Sequence, residues 1–375
     1  MEQRSAIVIG AGIVGLATAR ALAVKGYAVK VFDRNHKAVG ASIRNFGLVW
    51  PIGQPTGNMY ERALRSKSIW KQICDDTTIW YDTAGSLHVA HHPDEWQVLQ
   101  ELHEVFYTNR PVELLNKQQV ADISPAAETN TLLGGLYSKD EMIINPVKTI
   151  AAIPEYLTEK FGVAFFRGKC ISYIADTTVY IGTTEQHEAD LIFVCSGADF
   201  ETLYPEEYNK LPLTKCKLQM MRTDTLPNNQ SMGVPLCGGL SLTHYKSFTA
   251  AASLPVLKKR YESEMKEYMD WGIHVMACQN DAGQITIGDS HEYGLTHDPF
   301  DRAHINTLII DYLKQIAKCK DWQIAETWNG IYPKLTNGDT DLFYSPEPGV
   351  YIINGLGGAG MTLAFGLAEE IVNFL

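Results

Sequence analysis

The sequence has few cysteines and lacks any closely spaced cysteine pair. Its 375 residues include seven cysteines, an odd number, and no Cys-x-x-Cys occurs. Disulfide-rich secreted domains and zinc ribbons depend on such pairs, so neither class is expected. The spacing indicates scattered thiols in a reducing compartment, and we expect a cytoplasmic protein.

Long apolar runs and an excess of basic residues are also missing. No uninterrupted apolar run is long enough for a transmembrane helix, and the N-terminus lacks the pattern of a secretory signal. The segment 361–375 is apolar but contains Glu369 and Glu370, which predicts a core helix. The formal net charge is −11, which argues against a nucleic-acid partner. We expect neither a nucleic-acid partner nor an integral membrane segment.

No metal site is expected from the sequence. The adjacent pair His91 and His92 has a poor geometry for chelating one ion from a strand. A surface turn is the simpler interpretation of this pair. A Gly-x-Ser-x-Gly nucleophile elbow is also missing.

What the sequence does contain is a glycine-rich turn near its start. An apolar run at 6–9 predicts a buried strand, and Gly10, Gly12 and Gly15 follow in the pattern Gly-x-Gly-x-x-Gly before an Ala- and Leu-rich segment that predicts a helix. Gly10 would allow the tight turn, Gly12 the approach of a pyrophosphate, and Gly15 close packing of helix on sheet. The helix N-terminus would supply free N–H groups to the phosphates.

An acidic residue completes this pattern. The next apolar run, 27–32, predicts a second strand, and Asp33 follows it at the spacing expected of a ribose-binding carboxylate. The βαβ unit therefore predicts dinucleotide binding, and Asp33 disfavours NADP because it would repel the 2′-phosphate. The alternative is a glycine-rich turn in an unrelated fold.

A second glycine-rich turn lies near the C-terminus. A predicted strand at 349–354 is followed by Gly355, a run from Gly357 to Gly360, and an apolar helix. A helix N-terminus here could stabilise the negative charge of a reduced flavin, which favours FAD over NAD. The alternative is a mobile turn.

Helix and strand signals alternate at both ends of the chain, with a strand-rich region between them. This pattern predicts an α/β fold with a Rossmann-like, discontinuous cofactor-binding domain and an inserted mixed-sheet substrate domain. We assign 1–80, 140–210 and 326–375 to the cofactor-binding domain. The substrate domain would consist of 81–139 and 211–325.

These motifs resemble the D-amino-acid oxidase superfamily of FAD-dependent oxidoreductases, which includes glycine and sarcosine oxidases. The resemblance runs from the first glycine turn, through Gly85-Ser86-Leu87, Asn145-Pro146 and Trp328-Asn329-Gly330, to the last turn. It implies that FAD is the cofactor, that Arg44 and Asn45 lie along the isoalloxazine ring, and that a strand near Lys169 and Cys170 holds the adenosine half. The alternative for Arg44 is a solvated surface position.

The full set of candidate cofactor-binding residues follows from the two turns and this resemblance. They are Gly10, Gly12, Ile13, Val14, Gly15, Asp33, Arg34, Ser42, Arg44, Asn45, Gly47, Lys169, Cys170, Ser196, Gly197, Gly330, Gly355, Gly357, Gly358, Ala359, Gly360, Met361 and Thr362.

The resemblance also implies a reaction. A carbon–hydrogen bond next to an amine nitrogen would give hydride to flavin N5, and the imine would then hydrolyse; oxygen or another acceptor would reoxidise the flavin. The protein would supply orientation, a dry pocket and electrostatics. Candidate catalytic residues are His244, Tyr245 and Tyr332.

One position departs from the amino-acid oxidases. Those enzymes commonly carry a carboxylate-binding arginine where this sequence has Tyr332, in Trp328-Asn329-Gly330-Ile331-Tyr332-Pro333-Lys334. A tyrosine hydroxyl and a lysine could instead receive another anion, such as a phosphonate. The segments 44–55 and 243–248 are similar to the phosphonate-catabolism-associated branch of the superfamily, which implies an aminoalkylphosphonate substrate.

Candidate substrate-binding residues are Arg44, Gln54, Lys246, Lys334 and Arg222. On a strand, His244 and Lys246 would share one face and present two donors to an anion; the alternative is an edge strand with its polar residues in water.

Several functions stay open at this point. A D-amino acid, glycine or N-methyl amino acid could be the substrate, and a 2-hydroxy acid could be oxidised with His244 as the base. A non-catalytic FAD-binding subunit is the remaining alternative.

Overall fold

The computed structural model describes residues 3–227 and 230–375. The chain forms strands β1 to β21 at Ser5–Ile9, Ala28–Asp33, Leu48–Val49, Tyr81–Asp82, Ser86–Ala90, Val112–Leu115, Gly134–Ser138, Met142–Ile144, Ala164–Arg167, Tyr173–Ala175, Thr178–Ile181, Glu185–Glu188, Leu191–Val194, Leu213–Thr223, Leu236–Cys237, Met276–Gln279, Ile285–Gly288, Glu292–Gly294, Ile324–Leu335, Leu342–Glu347 and Val350–Asn354. Helices α1 to α11 span Ile13–Val24, Asn58–Thr77, Pro93–Phe106, Lys117–Ile123, Pro146–Phe161, Pro205–Tyr208, Gly239–Leu242, Leu254–Glu264, Lys266–Asp270, Ala303–Ile316 and Gly360–Phe374.

The first sheet has six strands in the order β20-β21-β13-β1-β2-β9, all parallel except β20. Its central strand β1 is entirely apolar after Ser5, as a parallel strand covered on both faces requires. Helices α1, α2, α5 and α11 share one apolar core with this sheet. The three strands β1, β2 and β13 end at the same edge, where the predicted ligand turn lies.

The second large sheet has nine strands in the order β18-β14-β17-β16-β15-β5-β7-β6, with β19 also paired to β14. The β14–β19 pair is long, from Leu213 opposite Leu335 to Thr223 opposite Ile324. Helices α3, α8 and α10 contribute buried apolar side chains to its core. Two small sheets, β3-β8-β4 and β10-β11-β12, complete the fold.

This arrangement confirms the predicted α/β fold with a Rossmann-like portion and a mixed sheet. The strand β19 pairs within the large sheet although the assigned boundary at 326 falls inside it; the domain boundaries stay a proposal. The last helix is a core helix as predicted, because its apolar residues from Met361 to Ala368 are buried. No helix in the described part of the chain has both the length and the apolarity needed to span a bilayer.

Candidate active site

One large cavity lies between the two main sheets. It has a volume of about 930 Å³, at the upper end of the range of ligand pockets, about 300–1,000 Å³. At one end it is lined by the loops that follow β1, β2 and β13, and at the other by side chains of the nine-stranded sheet. We call these the nucleotide end and the sheet end.

The first glycine turn forms the floor of the nucleotide end. Gly10 has a φ of +102°, and a Cβ there would overlap the carbonyl oxygen of Cys195. A Cβ at Gly15 would overlap the carbonyl oxygen of Gly10, which is the close helix–sheet packing that the sequence predicted. Gly12 differs, because its Cβ would meet only Ser42 Oγ at 3.1 Å and would otherwise project into the cavity. A side chain at Gly12 would therefore fill ligand space and not protein space.

The N-terminus of α1 opens into the cavity beside this turn. Gly12 is its N-cap and supplies no side chain. Ser42 Oγ instead accepts the Ile13 N–H at 2.9 Å, and Ile13, Val14 and Ser42 all line the cavity. This uncharged oxygen stands where a phosphate oxygen would be bound by the helix dipole.

Asp33 lies at the end of β2 and lines the same end. Its Oδ2 accepts the Ala11 N–H at 2.7 Å, and its Oδ1 accepts the Asn35 N–H at 2.7 Å. The carboxylate therefore fixes the turn, and each oxygen keeps a further lone pair for a ribose hydroxyl. Its neighbour Arg34 also lines the cavity and pairs with Asp199 at 2.6 Å.

The remaining predicted residues of the nucleotide end lie in loops. Lys169 and Cys170 line the cavity, but they follow β9 and are not in a strand, contrary to the expectation of a strand near them. The turn after Arg167 is fixed by the Lys169 N–H, which donates to the Asp33 carbonyl at 3.0 Å. Ser196 and Gly197 follow β13, and Gly197 O accepts from Asn354 Nδ2 at 3.0 Å.

The second glycine turn meets the first across the cavity. The residues Gly355, Gly357, Gly358, Ala359, Gly360, Met361 and Thr362 all line it, and α11 begins there. Trp70 Nε1 donates to Met361 O at 2.7 Å, and the Trp50 N–H donates to Thr362 Oγ1 at 2.9 Å. These two buried bonds fix the N-terminus of α11, so two helix dipoles direct positive ends into one cavity.

Arg44 and Asn45 lie between the two ends. Arg44 Nη1 donates to Asn329 O at 2.9 Å, and Asn45 Nδ2 donates to Ala41 O at 2.9 Å. Both residues and Gly330 line the cavity. Gly47 does not line it; its N–H donates to Asn45 Oδ1 at 2.8 Å, and it packs on the Ile144 carbonyl. Gly47 and Gly15 are therefore corrected from ligand contacts to residues that shape the turns.

The sheet end brings together residues that are far apart in sequence. Lining it are His244, Tyr245, Tyr332 and Lys334, as predicted, and also His274, Asp289 and His291, which the sequence reasoning missed. The ring centroid of His244 lies 3.9 Å from that of His274 and 4.6 Å from that of His291. His274 Nε2 lies 3.0 Å from Asp289 Oδ1.

Burial controls the charge of these groups. Burial lowers the pKa of His291 to about 4 and that of His244 well below its usual range. The accessible face of His244 opens into the cavity. Burial raises the pKa of the Tyr245 and Tyr332 hydroxyls. The pKa of Asp289 is lowered, because its neighbours His274 and His291 outweigh the effect of its burial. At neutral pH the His244 and His291 imidazoles and the Tyr245 and Tyr332 phenols are therefore uncharged, and Asp289 is a carboxylate.

The strand on which His244 and Lys246 would share a face does not form. His244 follows the short helix α7, and Lys246 begins a 3-10 helix, Lys246–Ala250. The alternation of faces on a strand therefore does not apply, although both residues line the cavity. Gly238 and Gly239 at the start of α7 are the missed signal of this turn.

Arg222 is a second correction. It pairs with Glu326, which accepts from Arg222 Nε at 2.9 Å, and its guanidinium lies 5.5 Å from the centre of the Trp328 ring. It is not among the residues that line the cavity. Gln54, in contrast, is buried and does line it.

The missed residues carried a weak signal. Asp289 and His291 come directly after the apolar strand β17, and polar residues just beyond a strand end are frequent in ligand sites. Nothing local, however, links them to His274 or His244.

The described residues fit FAD. The space beside Gly12, which a Cβ would fill, and the N-terminus of α1 suit the pyrophosphate. The N-terminus of α11 suits the pyrimidine edge of the flavin, and Asp33 suits the ribose.

Comparisons with known proteins agree with this geometry. Residues 5–374 match the family model "DAO: FAD dependent oxidoreductase". The chain is 25% identical over 245 residues to the tRNA 5-methylaminomethyl-2-thiouridine biosynthesis bifunctional protein MnmC of Saccharophagus degradans; the match covers 63% of this chain and only 34% of that protein, about a third of its length.

Solved structures share the fold at low sequence identity. Glycine oxidase from Bacillus cereus has a TM-score of 0.77 at 15% identity, with 99% of this chain and 94% of that chain covered. L-proline dehydrogenase from P. horikoshii has a TM-score of 0.78 at 17% identity, with 100% and 93% covered. Since the family model spans nearly the whole chain, the protein belongs to the DAO family of FAD-dependent oxidoreductases.

Proposed function

We propose that this protein oxidises a small amine, and that its substrate is an aminoalkylphosphonate. Bound FAD would accept hydride from the carbon next to the amine nitrogen, and the imine would hydrolyse to a carbonyl compound and an amine. The observation that carries the proposal is the large cavity, which has the N-termini of α1 and α11 at its nucleotide end and Tyr332, Lys334 and the histidine side chains at its sheet end.

Different residues would bind the nucleotide, the flavin and the amine. The turn at Gly10–Gly15 and Asp33 would hold the nucleotide, and Gly357–Thr362 would face the pyrimidine edge of the flavin. The sheet end would orient the amine so that its reacting carbon lies against the ring. The buried Tyr332 ring and the uncharged imidazole of His244 would keep the reacting carbon away from bulk water.

The positively charged side chains of the sheet end favour a substrate whose anionic head group is not a carboxylate. The arginines that line the cavity are already engaged, Arg34 with Asp199 and Arg44 with the Asn329 carbonyl. Lys334 Nζ forms no salt bridge with a carboxylate among the described residues and donates to the Tyr293 hydroxyl at 2.9 Å. An ammonium point charge and phenol groups suit a tetrahedral oxyanion, whereas a bidentate arginine suits a planar carboxylate.

A second candidate is the oxidation of a 2-hydroxy acid. The His274–Asp289 pair favours it, because a carboxylate-oriented imidazole is the arrangement of a general base for a hydroxyl proton.

The test is an anaerobic screen of the FAD-loaded protein. Glycine, sarcosine, D-alanine, 2-aminoethylphosphonate, its N-methyl derivative and lactate would each be added while the visible flavin absorption is recorded. Bleaching by the phosphonates, faster than by glycine or sarcosine, is expected. Bleaching by lactate alone would select the second candidate, and a flavin reduced by dithionite but by none of these compounds would refute both.

A further inference from the structure

The three histidines of the sheet end come from three separate segments. His244 follows α7, His274 precedes β16 and His291 lies between β17 and β18. Their rings are packed against one another, with centroids 3.9, 4.6 and 5.2 Å apart. We call His244, His274 and His291 the histidine cluster.

One nitrogen on two of these rings is already committed. His274 Nε2 lies 3.0 Å from Asp289 Oδ1, and His291 Nδ1 donates to Gly272 O at 2.8 Å. The second nitrogen of His274, Nδ1, is buried and has no hydrogen-bond partner. His274 is only 3% exposed and lines the cavity. A buried polar atom without a partner costs about 1–3 kcal/mol, so a ligand that supplies one would bind favourably.

A metal ion is the first ligand to consider, since one ligand atom from each ring lies within 4.8 Å of the others. Two imidazoles on one tetrahedral zinc ion, each bound at about 2.0–2.1 Å, hold their ring centroids about 5 Å apart. The His244 and His274 centroids are 3.9 Å apart, with the ring planes at 34°. The two rings are therefore tilted and lie closer together than two ligands of one tetrahedral zinc ion would.

The charges around the cluster also disfavour a cation. Lys334, on β19, lowers the pKa of both His244 and His291, so its positive charge acts on both rings. The other titratable groups that face the cluster are Asp289 after β17, Tyr293 on β18, Tyr332 on β19, Tyr245, and His88 on β5. One carboxylate and one ammonium offset each other, which leaves a neutral group of strong hydrogen-bonding side chains.

We infer that the histidine cluster, together with Lys334, is an anion site that takes up one proton from solution when its ligand binds. The inference rests on the proposed function in one respect: the anion is the head group of the amine substrate. A dianion next to Lys334 supplies the negative charge that stabilises an imidazolium in the cluster. Asp289 is a positioning residue, because its carboxylate Oδ1 lies 3.0 Å from His274 Nε2.

The sign of the pH dependence follows from linkage. The His244 and His291 imidazoles are neutral in the free protein, because desolvation keeps the pKa of His291 at about 4 and that of His244 low. A bound anion raises the pKa of the ring beside it. Between the free and the bound pKa, binding consumes a proton, and affinity falls by about tenfold for each unit of pH increase.

The test uses the FAD-loaded protein and inorganic sulfate, which stays a dianion throughout the experiment and cannot supply the proton itself. Calorimetric titrations from about pH 6 to about pH 8, in buffers of different ionisation enthalpy, count the protons taken up. We expect about one proton per sulfate and an affinity that weakens about tenfold per pH unit. Sulfate should also compete with 2-aminoethylphosphonate.

Two variants test the residues. His244→Gln, at the ring that opens into the cavity, should remove the proton uptake and flatten the pH dependence. His297→Gln is the matched control, because His297 lines the cavity near its mouth, with Nε2 3.3 Å from Lys215 O and outside the cluster; it should keep both. Thermal unfolding of each variant checks that it is folded.

The outcomes separate this inference from the proposed function. If sulfate binds with proton uptake while no amine reduces the flavin, the proposed function fails and the anion site stands. If amines reduce the flavin but sulfate binds without proton uptake, or does not compete with them, the inference is overturned. Stoichiometric binding of Zn²⁺ that is lost in His244→Gln would also overturn it.

Discussion

The two ends of the cavity are built by different means. The nucleotide end uses backbone: glycines that leave room, and the N-termini of α1 and α11. The sheet end uses side chains from the segments after α7, before β16 and after β17, and from β19, which meet only in the folded protein. A backbone site suits a cofactor that is common to a large family, whereas a side-chain site can change with the substrate. Mutations at the two ends should therefore separate cofactor binding from substrate binding.

The largest effect is expected at the nucleotide end. In Gly12→Val the side chain would occupy the pyrophosphate space, and FAD affinity should fall by at least about 100-fold, or about 2.8 kcal/mol. Folding should change little, because the Cβ meets only Ser42 Oγ at 3.1 Å. FAD titration of the apoprotein measures the affinity. Gly15→Val, whose Cβ would overlap the Gly10 carbonyl, is the contrast that should lower the melting temperature. Full FAD content in Gly12→Val would remove this turn from the site.

The next effect is expected at the sheet end. Lys334→Met should raise the KM of an aminoalkylphosphonate about 10- to 100-fold, because a charged hydrogen bond contributes about 1.5–3 kcal/mol. FAD affinity should stay within about twofold. The matched variant is Lys246→Met, an exposed lysine that also lines the cavity; it should raise KM by about threefold or less. Equal effects of the two lysines on KM would contradict the specific role of Lys334.

A smaller effect is expected at Tyr332. Tyr332→Phe removes one neutral hydroxyl that lies in the cavity, so KM should rise about 2- to 10-fold while FAD affinity is unchanged. The phenyl ring keeps the packing on Cys216 and Leu218, so stability should be retained. Steady-state kinetics beside an FAD titration would measure both quantities, and an unchanged KM would remove the hydroxyl from substrate binding.

The smallest effect is expected outside the cavity. Arg222→Gln breaks a partly exposed pair with Glu326, and such pairs contribute at most about 1 kcal/mol. KM and FAD affinity should both stay within about twofold, and urea unfolding should detect only a slight loss of stability. A large rise in KM would mean that Arg222 reaches the substrate after all.

The same contrast explains which features the sequence could predict. Gly10, Gly12, Gly15 and Asp33 follow one another through a single βαβ unit, so local spacing was enough to place them. The glycine-rich turn before α11 could be predicted for the same reason. The residues of the sheet end could be predicted only in part. The approach of His274 to His244 and His291 depends on the pairing of β16 with β17, and no local sequence pattern encodes that pairing.

Local errors had equally physical causes. The segment at His244 alternates in polarity like a strand, but Gly238 and Gly239 allow the chain to turn into α7. Arg222 was a plausible substrate ligand until β14 paired with β19, which brings Glu326 opposite it. In both cases tertiary pairing decided between interpretations that were equally consistent with the local sequence.

The most direct test of the account is a crystal structure of the protein with FAD. We expect the pyrophosphate beside the backbone of Gly12 and Ile13, and the isoalloxazine ring beside Gly357–Thr362 with its substrate side toward His244. An FAD molecule bound elsewhere, or a flavin ring whose substrate side faces away from the nine-stranded sheet, would contradict it.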